Sequence, residues 1–335
     1  MAISNYQHGF KNGVTIRGVP VEITHPGRVF WVGNNATRLD NEKTSADGND
    51  GSFLAPFATV MGAHDASAVV ASRGDIIFVR PGYTETISST TDWTISKAGV
   101  AIIGLGHGGS RPIISFDTTT DTINVSGANV AIRNFIFRAT VDLVVSAFTL
   151  TTADELSIED CFFQDNSATN TFIALVDTSA VAYDCDGLYF ARNVWIGLDD
   201  AAGTTPFDVD ETQDRWTVID NYLYTAAVPT ALGMFDVAGT AIGLTQLRCT
   251  GNLYRHAGTD VTYGVAIGAV GSSHSTGIIA NNTFLTLSAA ASASIIVSAK
   301  ASGMYRIANI VAPTSDAALR ASELGVIRQA VTIQG

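Results

Sequence analysis

Apolar and polar positions along this chain alternate in short runs, and one pair of runs returns again and again. It reads VAIRNFIFR over 130–138, LSIEDCFFQ over 156–164, YFARNVWIG over 189–197 and TVIDNYLYT over 217–225. It continues as RCTGNLYRH over 248–256, IIANNTFLT over 278–286 and YRIANIVAP over 305–313. Each copy turns on one small polar residue: Asn134, Asp160, Asn193, Asn221, Asn252, Asn282 and Asn309, separated by 26, 33, 28, 31, 30 and 27 residues. A second apolar series, around Leu150, Val176, Val209, Val237, Ile267 and Val297, follows each of the first six pivots at 15 or 16 residues. Two series that stay in step while the loops vary in length are the mark of a repeat architecture.

A unit of about 30 residues with three short strand-like runs suits one coil of a parallel β-helix. Helical repeats would need amphipathic segments of period 3.6, and a leucine-rich repeat would need regularly spaced leucines; neither is present. In such a coil each strand pairs with its counterpart about 4.8 Å away, so equivalent residues stack in columns. The column two residues after the pivot is then Ile136, Phe162, Trp195, Leu223, Tyr254, Phe284 and Val311, and the column two before it is Ile132, Ile158, Ala191, Ile219, Thr250, Ala280 and Ile307. Both are expected in the core. The pivots themselves are expected at left-handed bends, which Asn tolerates well, with their amides bonded from coil to coil. This makes them a structural ladder rather than a binding stripe.

Upstream, Gly27–Gly33 reads as a strand, 34–56 as a loop, Phe57–Ser72 as a short amphipathic helix and Gly74–Pro81 as a strand, followed by strands at 83–87, 93–95 and 100–104. The helix is expected to cover the first coil, because an open solenoid end exposes core and backbone edges. Asp316–Leu324 is the corresponding expectation for the far end. The chain thus divides into an extended arm (1–28), entrance strands with capping helix and first coil (29–104), the coils (105–314) and a C-terminal cap or tail (315–335).

The polar Gly/Asp loop, the Pro-Phe-Ala-Thr of 56–59, the short helix and then GDIIFVRPGYTETI over 74–87 resemble the start of pectate-lyase-like right-handed β-helix proteins, and the Asn ladder is similar to theirs. The opening NYQHGFKNGVTIRGVPVEITHPGRVFWVGNN, residues 5–35, is similar to β-helix proteins of tailed bacteriophages. The fold expected is therefore all-β: a single-stranded, right-handed parallel β-helix of about eight coils with a short N-terminal capping helix. The resemblance further implies a virion protein and a homotrimer.

Composition narrows the chemistry. Net charge is −12 with 31 acidic against 19 basic residues, and no basic cluster stands out, so a nucleic-acid partner is not expected. No run of apolar residues is long enough for membrane insertion, and the first residues lack the basic start and apolar stretch of a secretory signal. Cys161, Cys185 and Cys249 are widely spaced, which suits small hydrophobes in a reducing compartment better than disulfides or zinc ligands.

Three catalytic possibilities arise on such a solenoid. Gly106-His107-Gly108 matches a polygalacturonase triplet but lies ahead of the acidic pairs, in a Gly-rich turn, without the companion motifs. Asp199, Asp200, Asp208 and Asp210 are weak acidic candidates; Asp208 and Asp210 are expected on one side of a strand, about 6.5–7 Å apart, a spacing open to a glycosidase pair or a weak Ca²⁺ site. Arg192, Arg215 and Arg248 stand one, six and four residues before pivots and so form no single column for a lyase base. No catalytic residues, metal or cofactor are assigned.

The expectation is a non-enzymatic virion protein, folded in the bacterial host cytoplasm and displayed on the particle, with head decoration ahead of a tail spike or fibre that binds or cleaves host surface glycan. Its partners would be copies of itself and capsid or tail proteins. The arm, with Tyr6, His8, Phe10, Ile16 and Val19 among Gly, Asn and Pro, cannot form a core alone and is expected to anchor it.

Overall fold

The computed structural model describes residues 15–16, 19–20, 27–35, 41–89, 93–178, 185–198, 205–225, 234–237, 242–256, 275–286 and 303–313. They form a parallel β-solenoid of three long sheets. The first sheet holds ten strands from Val29–Val32 to Gly303–Ile307, the second nine from Thr84–Ile87 to Ile310–Pro313, and the third six from Trp93–Ile95 to Phe235–Val237. Six coils therefore show all three strands among the described residues, and the first two sheets run on beyond them. The only helix longer than one turn among the described residues is Val60–Asp65.

The interior is filled by stacked side chains. On the first sheet the inward column is Phe30, Ile77, Ile102, Ile132, Ile158, Phe190, Val218, Cys249 and Ile279, in which no side chain is more than 2% exposed. On the second it is Ile114, Phe137, Phe163, Trp195, Leu223, Tyr254 and Phe284, all fully buried. Rings meet across coils, with Phe137 stacked on Phe163 at 5.3 Å and edge-on to Phe148 at 5.1 Å. Burying each such side chain contributes roughly 1.5–3 kcal/mol.

The register corrects the columns read from sequence. Between the second and third copies the ladder advances 32 residues, pairing Glu159 with Ala191 and Phe162 with Val194, whereas the pivots are 33 apart. One residue of slip reverses the facing of a whole strand. Ile136 and Phe162 therefore point outward, their places inside taken by Phe137 and Phe163. Ala191, Ile219, Thr250, Ala280 and Ile307 likewise stack outside, behind the inward Phe190, Val218, Cys249 and Ile279. On the third sheet Val176 stacks with Phe148 and Phe207, while Leu150 pairs with Thr178.

The same slip splits the pivots into two columns. The left-handed residues are Asn134, Asp160, Arg192, Asp220, Gly251, Asn281 and Ala308, with φ between 51° and 71°. The next column is Phe135, Cys161, Asn193, Asn221, Asn252, Asn282 and Asn309. Asn134 and Asp160 thus carry the bend, with Asn134 Nδ2 still donating to the Gly104 carbonyl of the preceding coil at 2.7 Å, and the five later asparagines carry the continuous ladder but not the bend. In the ladder, each Oδ1 accepts from a backbone N–H one coil back: Cys161 to Asn193 at 2.9 Å, Asn193 to Asn221 at 2.8 Å and Asn252 to Asn282 at 2.9 Å. Each Nδ2 donates to a carbonyl of the preceding coil, as Asn252 does to Val218 at 2.8 Å. A second left-handed column, Gly74, Gly99, Asn129, Glu155, Gly187, Arg215 and Gln246, bounds the first sheet on its other side.

The capping helix is shorter than Phe57–Ser72. Thr59 caps it by accepting from Gly62 N–H at 2.8 Å, and Asp47 receives the N–H groups of Ala58 and Thr59. Past Asp65, tertiary partners take the backbone groups a helix would use: Lys97 Nζ donates to the carbonyls of Ala66 and Val69, and Val70 N–H donates to Asp75. Val60, Ala63 and His64 face the core, His64 Nε2 accepting from Lys97 N–H at 3.1 Å. Beneath the helix, Glu85 occupies the inward place in register with Ile114. It accepts from Tyr83 Oη at 2.6 Å, Trp93 Nε1 at 2.9 Å and Val60 N–H at 3.2 Å, so the first coil ends in a satisfied polar plug.

Candidate functional site on the third sheet

Strands Phe172–Thr178, Thr205–Val209 and Phe235–Val237 are neighbours in the third sheet. On either side of their central polar residue the side chains are buried, so the pleat sends that residue outward. In register this gives Thr94, Asn124, Thr149, Asp177, Asp208 and Asp236, a polar column that becomes purely acidic over its last three coils. The strands that carry these half-buried residues lie side by side at the usual spacing of about 4.8 Å.

Burial and mutual repulsion both oppose ionisation here. Asp208 is pushed up to about 7, first by burial and then by the charges of Asp210, Asp177 and Asp236. Asp177 is pushed up to about 6 by burial and by Asp210, and Asp236 is raised for the same two reasons. Asp210, just beyond its strand, is raised by burial, and its N–H donates to Thr178 Oγ1 at 2.8 Å. Side by side, one carboxyl can hold a proton near neutrality while its neighbour is ionised, the division of roles an acid–base pair requires.

Of the acids singled out in the sequence, Asp208 lies in this column and Asp210 beside it, while Asp199 and Asp200 fall outside the described residues. Asp210 is the first charge acting on Asp208, and Asp177 and Asp236 join it across the strands, which the sequence reading missed. A signal was there: Phe-Asp-Val occurs at 207–209 and again at 235–237. Among the described residues no group of three or more His, Cys, Asp or Glu is arranged to hold a metal ion.

The other sequence candidates are dispersed. His107 is exposed in a turn, its N–H donating to Ser110 Oγ at 3.0 Å. Arg192 sits at a left-handed bend and bonds Asp160 at 2.8 Å and Glu159, which also meets Arg133 at 2.6 Å. Arg215 lies at the opposite corner with Glu155 and Asp214, and Arg248 stacks in register with Thr217. No single column joins the three. Of the arm, Ile16 and Val19 fall in the paired strands Thr15–Ile16 and Val19–Pro20; Tyr6, His8 and Phe10 lie outside the described residues.

No family model and no curated protein matches the chain. Among solved structures, a rhamnogalacturonan lyase is similar over 84% of this chain and 87% of its own, at 14% identity and a TM-score of 0.43. No role for any residue follows from that likeness.

Proposed function

We propose that this chain is a non-enzymatic structural protein on the surface of a tailed-bacteriophage particle, a head decoration protein held there by residues 1–28. The observation that carries this reading is the way the arm is rooted. Arg28 N–H donates at 2.7 Å to the fully buried Asp75, which also accepts from Val70 N–H at 2.8 Å and from Arg73 Nε at 2.6 Å. At Gly27 an added Cβ would lie 2.0 Å from the Gly74 carbonyl, so only glycine permits so close an approach. A pull on the arm is thereby passed into the first sheet. The test adds full-length chain and chain lacking residues 1–26 to particles devoid of it and sediments them. Loss of co-sedimentation on truncation, with the β-rich circular dichroism kept, supports anchoring; equal co-sedimentation rejects it.

The aspartate column favours a second reading, a tail spike that cleaves host surface polysaccharide. Incubation with capsular or O-antigen polysaccharide would then release reducing ends, and Asp208→Asn would abolish that release. Absence of new reducing ends with the wild-type chain rejects it.

A further inference from the structure

Tyr83 Oη lies 2.6 Å from Glu85 Oε2 and 2.9 Å from the Ala58 carbonyl, at the start of the capping helix. A phenol has one hydrogen to give. With Glu85 as a carboxylate, that hydrogen serves one of the two oxygens, and the other faces a lone pair inside the fold. With Glu85 as the acid, both contacts become bonds. Oε2–H donates to Tyr83 Oη, and the Tyr83 hydroxyl donates to the Ala58 carbonyl. The other contacts suit the acid as well. Trp93 Nε1 donates at 2.9 Å to Oε1, the place of the acid's carbonyl oxygen. The longer bond from Val60 N–H, 3.2 Å, falls on Oε2, the poorer acceptor of a protonated carboxyl.

The charges around Glu85 leave it without a counter-ion. Asp47 acts on it as a like charge and already receives the N–H groups of Ala58 and Thr59 and the Thr59 hydroxyl. On the helix, His64 is turned to Lys97 N–H and to Asp65, and Lys97 Nζ is bound to the carbonyls of Ala66 and Val69. On the first sheet Arg73 is held by Asp75 and Arg80 by Glu42. Among the described residues no ion pair reaches Glu85. We infer that Glu85 is the uncharged acid in the folded chain at neutral pH and that its proton latches the capping helix to the first coil, releasing it as the pH rises. Burial pushes the Glu85 carboxyl up, Asp47 adds to that, and the bonds from Tyr83, Trp93 and Val60 oppose it without cancelling it. The latch is therefore whole below the ordinary glutamate range and is lost as pH rises through the raised value. It concerns the cap alone and stands whatever the arm or the aspartate column does.

The experiment labels glutamate Cδ with carbon-13 in the full-length chain and follows the carboxyl resonances with pH, for wild type and for Glu85→Gln, whose amide stays uncharged. The resonance missing from Glu85→Gln is expected at the position of a protonated acid at about pH 7. Amide exchange of residues 60–65 is then measured as the ratio of wild type to Glu85→Gln at each pH, which cancels every titration the two chains share. That ratio is expected near one below the ordinary glutamate value of 4.5, and to rise about tenfold per pH unit above it until the Glu85 resonance has moved. A Glu85 resonance at the carboxylate position at neutral pH, or a ratio that does not rise, overturns the inference. Should Glu85→Gln fail to fold, wild type decides by itself. One glutamate in the acid form at neutral pH, with exchange of 60–65 rising with pH against that of strand Ser157–Glu159, supports the latch; absence of either overturns it.

Discussion

Asn221 Nδ2 lies 2.9 Å from Asn252 Oδ1, and that same oxygen accepts the backbone N–H of Asn221 at 3.0 Å. One carbonyl oxygen thus serves two donors of the coil below, while Asn221 Oδ1 serves Asn193 N–H at 2.8 Å. The ladder binds coils through side chains at a corner where the backbone has left the sheet. Replacing one rung orphans several buried groups at once.

Asn221→Leu is therefore expected to cost about 1–3 kcal/mol. Ala168→Ser, on an exposed loop, should stay within about 0.5 kcal/mol. Urea titration followed by circular dichroism measures both. Equal midpoints would remove the ladder from any role in stability.

The left-handed column offers a gain. Ala308 holds φ 51° without the side-chain hydrogen bonding that lets Asn and Asp occupy this region. Ala308→Gly is expected to stabilise the last coils by up to about 1 kcal/mol. Thermal melting compared with wild type checks the sign.

The aspartate column predicts a pH dependence. Asp208 titrates at about 7 in the folded protein against an ordinary 3.8, so the folded state holds its proton more tightly. Stability is then unpenalised below the ordinary value and is lost as pH rises through about 7. Asp208→Asn should leave the melting temperature unchanged near about pH 4 and raise stability near about pH 8, on the order of 1 kcal/mol after solvent screening. An unchanged melting temperature at both pH values would refute the assignment.

Asp75 works in the opposite sense. Burial acts to raise its pKa, but the bond from Arg73 and the N–H groups of Arg28 and Val70 outweigh burial and hold it below the ordinary value. Its contribution is present above that value and is lost as pH falls through the depressed one. Asp75→Asn should cost about 1–3 kcal/mol at neutral pH and progressively less in strong acid. A difference that persists undiminished at about pH 2 would contradict this linkage.

The sequence by itself determined the architecture, because a coil that packs only on its neighbours writes its period into the chain. The 30-residue repeat, the three runs per unit and the asparagines at one corner all come from local spacing and side-chain type. The acids at 208 and 210 were likewise visible. Register was decided only by the tertiary structure. Loops absorb a residue without altering the appearance of either flanking run, yet that residue reverses which side chain faces the core. Hence Phe137 and Phe163 are inside where Ile136 and Phe162 were expected, and the bend and the ladder fall to adjacent residues. The same holds for the aspartates. Asp177, Asp208 and Asp236 lie 31 and 28 residues apart, and only lateral strand pairing brings them side by side to repel one another. The helix stops at Asp65 for a partly non-local reason: Lys97, 31 residues beyond Ala66, claims a carbonyl that would have continued it, while the nearer Asp75 takes the Val70 N–H.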